Sequence, residues 1–257
     1  MYEQRRNERV NSMFGRVLAA ELMKTKRSLV WVLVLIGPLL TSLQMMGIDP
    51  SNQVDGMNEW ETLYTFSVLL YAMLFLPLLT GVLSAFVCRF EHLNGGWKQV
   101  LALPVSRSHV YLAKLLVVAG LLGATQSVFL LLILLVGVVK GIDVPIPWDF
   151  LLRGIAGGWI AALPLAALQM WVSAIWRSFG APLALNVVLT LPAVLIANSE
   201  TFGPFYPWAQ PLLAMSPQEG DAMFNVSLET LFIVMIGGFL TALIGGWWTF
   251  VRRDVTA

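Results

Sequence analysis

EHLNGGWKQVLALPVSR, residues 91–107, is a polar island between two long apolar runs. Glu91, Lys98 and Arg107, with Arg89 just before them, put charge of both signs here, whereas the runs 64–88 and 110–139 together hold one charge, Lys114. Trp97, Val100 and Leu101, with Leu93, recur at helical spacing, which predicts a short amphipathic helix. Pro104 ends it, because its ring cannot continue the helix and turns Leu103 toward extended backbone. Such an island can be a plain surface loop joining two membrane helices, or a short helix on which a soluble partner docks.

The runs on either side decide the class. The chain has 257 residues, 58% of them hydrophobic and only 12% charged, against roughly a quarter charged in soluble domains. Mean hydropathy is +0.76. A membrane-crossing helix needs ~20 apolar residues, and six segments meet or approach that length: 29–46, 64–88, 110–139, 151–175, 181–197 and 228–251. The expected fold is therefore all-α and integral to the membrane, with residues 29–257 as the six-span domain and 1–28 as a separate basic segment. The first apolar run starts too far in for a cleavable signal peptide, so it reads as a retained span.

Charge placement orients the spans. Fourteen of the 16 Lys and Arg residues fall on one side: the N-terminal segment, the 89–109 loop with Lys114, Arg177, and Arg252 with Arg253. Only Lys140 and Arg153 fall on the other, which collects Asp49, Asp55, Glu59, Glu61, Asp143, Asp149, Glu200, Glu219, Asp221 and Glu229. Basic loops stay inside, so both termini and the 91–107 island are expected in the cytoplasm, as an even number of spans requires. Net charge is +1, too small for a bulk field that would gather nucleic acid.

Two further stretches are structured in their own right. In the basic segment, Val10, Met13, Phe14, Val17, Leu18 and Leu22 share one helical face, with Arg9, Arg16, Lys24, Lys26 and Arg27 mostly elsewhere. That describes a helix lying in the headgroup region, either a simple anchor or a mechanical elbow. Residues 198–227 are rich in Pro and aromatics, and Leu212, Leu213, Ala214 and Met215 are too apolar for a solvated loop. They form either short re-entrant helices in the outer leaflet or a well-packed external cap.

Several chemistries are absent. The chain holds no G-x-x-x-x-G-K-[ST] and no H-E-x-x-H, so neither a P-loop phosphate cradle nor that zinc site is available. His92 and His109 lie on the polar loop, away from any serine at membrane depth. Mid-span acids are missing, which leaves a proton or sodium relay nothing to titrate. Cys88 is the single cysteine, which excludes an intrachain disulfide and a cysteine metal cluster. The chain itself is not expected to be an enzyme or to hold a metal. Gln126, Gln169 and Asn186 are polar groups inside spans; they either bond between helices or line a substrate path. Pro38, Pro77, Pro164 and Pro192 are expected to kink their spans. Residues 1–109 and 110–257 show no internal repeat, which counts against an inverted-repeat transporter.

Four features carry a resemblance: the basic segment Glu21-Leu22-Met23-Lys24-Thr25-Lys26-Arg27-Ser28 before the first span, the loop 90–107 followed by Lys114, six spans with both ends inside, and the apolar insert before the last span. In these the chain resembles ABC-2-type permease subunits, most closely the lantibiotic-immunity and bacitracin-resistance group, with an architecture like that of type V exporters. The resemblance implies ATPase subunits on separate chains, which would bind the ATP and Mg; no cofactor is implied on this chain. It implies a second permease copy or a related permease, with the first, second and fifth spans near the shared axis. It implies that the loop is a coupling helix seated in the ATPase: Glu91 pairs with a basic residue, Trp97 and Leu101 fill an apolar groove, Lys98 and Arg107 hold its rim, and Pro104 stops the helix. The implied cargo is an antimicrobial peptide or similar amphiphile, exported or lifted from the bilayer of a bacterial cell membrane. The competing class is a channel or scaffold that works without ATP.

The orientation has a direct check. Cysteines placed at Asp55 and Glu219 should react with an impermeant thiol reagent in intact cells, and one at Asn94 should not. Labelling at Asn94 but not Asp55 reverses the topology.

Overall fold

The computed structural model of the protein describes residues 2–26, 28–51, 56–92, 105–176, 178–217, 224 and 226–252, and for 2–12 and 90–92 the backbone alone. Ten α-helices and no strand occur among them: α1 Tyr2–Thr25, α2 Val30–Gly47, α3 Glu59–Leu70, α4 Leu76–His92, α5 Arg107–Val139, α6 Trp148–Ile175, α7 Gly180–Thr190, α8 Ala193–Ala197, α9 Gln210–Met215 and α10 Leu228–Arg252. A π-helical turn, Tyr71–Phe75, joins α3 to α4. In a regular helix the ring of Pro77 would strike the carbonyl of residue 73, and the wider turn falls there.

Five helices are long and apolar enough to cross a membrane: α2, α3 with α4 (Glu59–Arg89), α5, α6 and α10. Four of the expected spans and the second, now extended back to Glu59, are thus present as continuous helices. The fifth, 181–197, is not continuous. Its chain forms α7, turns at Leu191 and Pro192, and resumes as α8. Pro192 has no N–H to offer the preceding turn, which makes the break local and chemical. The 11 residues of α7 rise only about 16 Å, roughly half of a hydrocarbon core of about 30 Å.

The helix ends explain the chain reversals. Asn58 and Glu61 form a reciprocal capping box at α3: Glu61 N donates to Asn58 Oδ1 at 3.0 Å and Asn58 N to Glu61 Oε2 at 2.9 Å, which satisfies two orphan donors. At the end of α5, Gly141 takes φ +74°. Its N–H bonds Val138 O at 3.0 Å, and Ile142 N bonds Gly137 O at 3.1 Å. This paired arrangement closes the helix and needs a left-handed residue that only glycine supplies cheaply.

The helices sort most of the described charges to two ends, with the acid Glu21 among the bases. Lys24, Lys26, Arg89, Arg107, Lys114 and Arg252 stand at one end, where α2, α5 and α7 begin and α4, α6 and α10 finish. Asp49, Glu59, Glu61, Asp143, Asp149, Glu200 and Glu229 stand at the other, with Lys140 and Arg153. There the Lys140 ammonium donates to Met46 O at 3.0 Å and Ile48 O at 2.6 Å, capping α2. The Trp60 indole donates to Val144 O at 3.0 Å.

Helix α6 is central, touching α4, α5, α9 and α10. Its small residues Gly154, Gly157 and Gly158 face Tyr64, Ala214 and Met215. Gly157 and Gly158 thus seat the segment before the last span, while Gly154 makes room for the Tyr64 ring of α3. Outward faces stay apolar: Leu35, Leu39 and Leu43 on α2, and Ile233, Ile236 and Leu240 on α10, are exposed, as lipid-facing surface requires.

One glycine is a tight test of this packing. A Cβ on Gly137 would enter the Trp60 ring, whereas one on Gly120 would meet nothing within 4 Å. Gly137→Val should lower unfolding stability in detergent by about 1–3 kcal/mol, and Gly120→Ala should leave it unchanged or raise it slightly. Thermal unfolding of the two variants checks this.

Candidate functional site

Two polar assemblies stand out from an apolar body. The first is at the basic end, around the flanks of the 91–107 island. Glu91 lies in the last turn of α4, described by its backbone alone; Trp97, Lys98, Leu101 and Pro104 lie outside the described residues. Arg107 opens α5, where Ser106 Oγ caps the helix by accepting from His109 N at 3.3 Å. The Arg107 guanidinium donates to Val251 O at 2.9 Å, a cation on the carbonyl end of α10, where the helix dipole favours it. The Trp247 indole donates to Ser108 Oγ at 2.9 Å, and Tyr111 lies beside Phe250 with ring centroids 5.6 Å apart. The loop's exit is thereby fixed to the last span.

The loop's entry is fixed to other elements. The Arg89 guanidinium lies over Phe86 and over Phe179, 5.8 and 5.3 Å from the ring centres, linking the end of α4 to the start of α7. Phe14 of α1 meets His109 edge to face at 5.6 Å, and Leu18 packs against the core. Part of the apolar stripe of α1 is therefore turned onto α5, while Leu22 and Met23 stay exposed. Buried between these elements is an ion pair: Lys114 Nζ stands 2.8 Å from Glu21 Oε2 and 3.0 Å from Val87 O, and Lys24 Nζ stands 2.6 Å from Glu21 Oε1.

The second assembly is in the interior. Asn186 is 1% exposed. Its Oδ1 accepts from the Gln169 amide at 3.1 Å and the Trp208 indole at 2.8 Å. Its amide donates to Pro77 O at 3.1 Å and Leu78 O at 3.3 Å. One side chain thus joins α4, α6, α7 and the segment before α9. Gly81 makes room for it, since a Cβ there would overlap the Asn186 amide. Beside it, Tyr206 Oη donates to Leu189 O at 2.6 Å, at the turn where Pro192 ends α7; burial raises the Tyr206 phenol pKa. Of the three candidate amides, Gln169 and Asn186 meet. Gln126 is elsewhere, its amide 3.6 Å from Met215 Sδ and its Oε1 without a hydrogen-bond partner.

Two features were not anticipated. An indole in an external segment suits the membrane interface, yet Trp208 is 5% exposed and bonded to Asn186. The Glu21–Lys114 pair had a signal available: Glu21 is the one acid between Glu8 and Asp49, and Lys114 is the one charge in the run 110–139. Isolated charges of that kind need partners. Among the described residues no group of three His, Cys, Asp or Glu side chains could hold a metal ion.

A bundle of long apolar helices, with polar side chains spent on one another and charge sorted to its ends, defines a multi-pass membrane protein. Residues 17–193 match the family model described as ABC-2 family transporter protein, and the chain belongs to that family. The match runs from the second half of α1 through the loop to the start of α8. No curated protein and no solved structure matches the chain. The family is the transmembrane permease component of ABC transporters and is not itself catalytic.

The hub and the lone amide predict opposite outcomes. Asn186→Leu strands the Trp208 indole and the Gln169 amide in an apolar interior and should cost about 1–3 kcal/mol. Gln126→Met removes an oxygen that has no partner and keeps the side chain's length, so stability should hold or rise slightly. Unfolding titrations of both variants against the parent decide it.

Proposed function

We propose that the chain is the permease subunit of an ATP-driven exporter whose ATPase is a separate polypeptide docked on the 91–107 island. The observation that carries this reading is the wiring of the island's flanks. Its entry and exit are tied by Arg89, Arg107, Ser108 and Lys114 to α1, α7 and α10. A push on the island therefore reaches three further helices at once, as a coupling element requires and a plain connector does not. On this reading the charge-rich end faces the cytoplasm with both termini, α7 and α8 complete a sixth crossing, and α1 is the elbow at the headgroups. ATP and Mg reside on the ATPase.

A second permease copy or a close relative completes the pathway, with α2, α3–α4 and α7 toward the shared axis. α2 and α7–α8 expose apolar side chains, including Leu43, Val188, Leu191 and Leu195, which either lipid or a second copy can cover. The cargo is an amphiphile, an antimicrobial peptide of the kind handled by the lantibiotic-immunity and bacitracin-resistance group. An apolar groove at the acidic end, between Leu195, Ile196, Phe202 and Phe205, suits its lipid-like part in the outer leaflet of a bacterial cell membrane.

The test is co-purification from the native membrane followed by substitution in the island. A P-loop ATPase should accompany the wild-type chain. Trp97→Ala should weaken its retention by about 2 kcal/mol, and Glu91→Ala by about 2–5 kcal/mol if its pair is desolvated. Both variants should insert at wild-type levels, since neither residue belongs to a span. Unchanged ATPase retention and hydrolysis in both reduces the island to a connector, and absence of any ATPase favours a channel or scaffold.

A further inference from the structure

Lys114 stands seven residues into α5, about 10 Å along the helix from its start, and is 2% exposed. An ammonium in that position persists only where a partner and hydrogen-bond acceptors hold it. The acceptors come from two other elements. Glu21 Oε2 of α1 is 2.8 Å away, and Val87 O, in the last two turns of α4, is 3.0 Å away. Glu21 is itself 4% exposed, and its second oxygen takes Lys24 of α1 at 2.6 Å. The entry flank and the exit flank of the 91–107 island thus converge, through one ammonium, on one carboxylate of the elbow helix. α1 also packs on α5 through side chains such as Phe14, which meets His109 edge to face. Packing of that kind can slide along a helix surface, whereas a buried charge-assisted bond has a narrow geometry.

We propose that Glu21 and Lys114 are a positioning pair that clasps α1 to both flanks of the island, so that the elbow and the island move as one body. This rests on the reading of the island as the ATPase-docking element. In it the elbow is a working part of the coupling apparatus, and its docking depends on charge pairing rather than on its apolar stripe alone.

The experiment uses the full chain in native membrane vesicles, in a Cys88→Ala background with a single cysteine placed at Leu18, one turn before Glu21 and packed against the core. The readout is the rate of alkylation by N-ethylmaleimide. Glu21→Leu and Lys114→Met should each speed labelling by about tenfold, since each removes the buried charge-assisted bond between α1 and α5. Lys114→Arg should stay within about twofold of the parent, because it keeps the charge. The double variant Glu21→Leu with Lys114→Met should label about as fast as either single, because each single already removes the one bond that the two residues share. Single variants that label at the parent rate overturn the proposal, and so does a double variant that labels about a hundredfold faster than the parent, which reports two independent losses of bulk and not pairing. If Lys114→Met does not accumulate, Lys114→Gln carries the same comparison.

A second arm separates this inference from the exporter reading. In the ATPase-bound complex, trapping with ATP and vanadate should shift the Leu18 cysteine rate in the parent by about threefold or more and leave the Glu21→Leu variant unresponsive, although its ATPase still hydrolyses. A parent that carries ATPase but shows no shift overturns the clasp and leaves the permease reading standing. Recovery of no ATPase overturns the permease reading, while the pairing pattern in the chain alone still decides the clasp.

Discussion

Hydrocarbon offers no hydrogen bonds, and the architecture of this protein follows from that deficit. Each backbone group within the bilayer must be satisfied inside the chain, so the described residues fold into helices and leave no strand edge. Where a helix is interrupted, a side chain is close at hand. Tyr206 reaches Leu189 O beside the break at Pro192, and Asn186 reaches Pro77 O and Leu78 O just past the π-helical turn. The two irregularities, in α4 and between α7 and α8, are thereby stitched to the same region of the segment before α9. That segment is in turn seated on the small-residue stripe of α6. The bundle's interior holds a set of interruptions repairing one another.

The basic end follows a different rule. Its bonds join elements through charged groups: Arg89 over Phe179, Arg107 on Val251 O, and Lys114 between Glu21 and Val87 O. Surface ion pairs in water contribute little, and these groups are drawn instead to helix ends, rings and buried partners, where geometry is restricted. The result is a stiff platform around the island that joins α4 to α5.

The comparison of chain pattern with tertiary structure is most instructive residue by residue. Run length and charge were enough for the membrane class, for five of the long helices and for sorting of the basic residues to one end, because those properties are local or additive. The extension of the second span back to Glu59 was written in Asn58 and Glu61, a capping box three residues apart. The broken fifth span was also visible in Pro192, although length alone made it read as continuous.

What the sequence alone determined, then, is the solvent of this protein, its helical content and the asymmetry of its charges. Each depends on composition along the chain, and the lipid acts on each segment separately. The tertiary structure decided which polar groups meet. Glu21 and Lys114 lie 93 residues apart, and Trp208 and Asn186 lie 22 apart. A lone acid, a lone lysine, an asparagine and an indole each announce that a partner is needed. Which partner each finds depends on helix rotation and on the glycines that let α4 and α6 be approached closely, and no periodicity in one segment encodes the position of another.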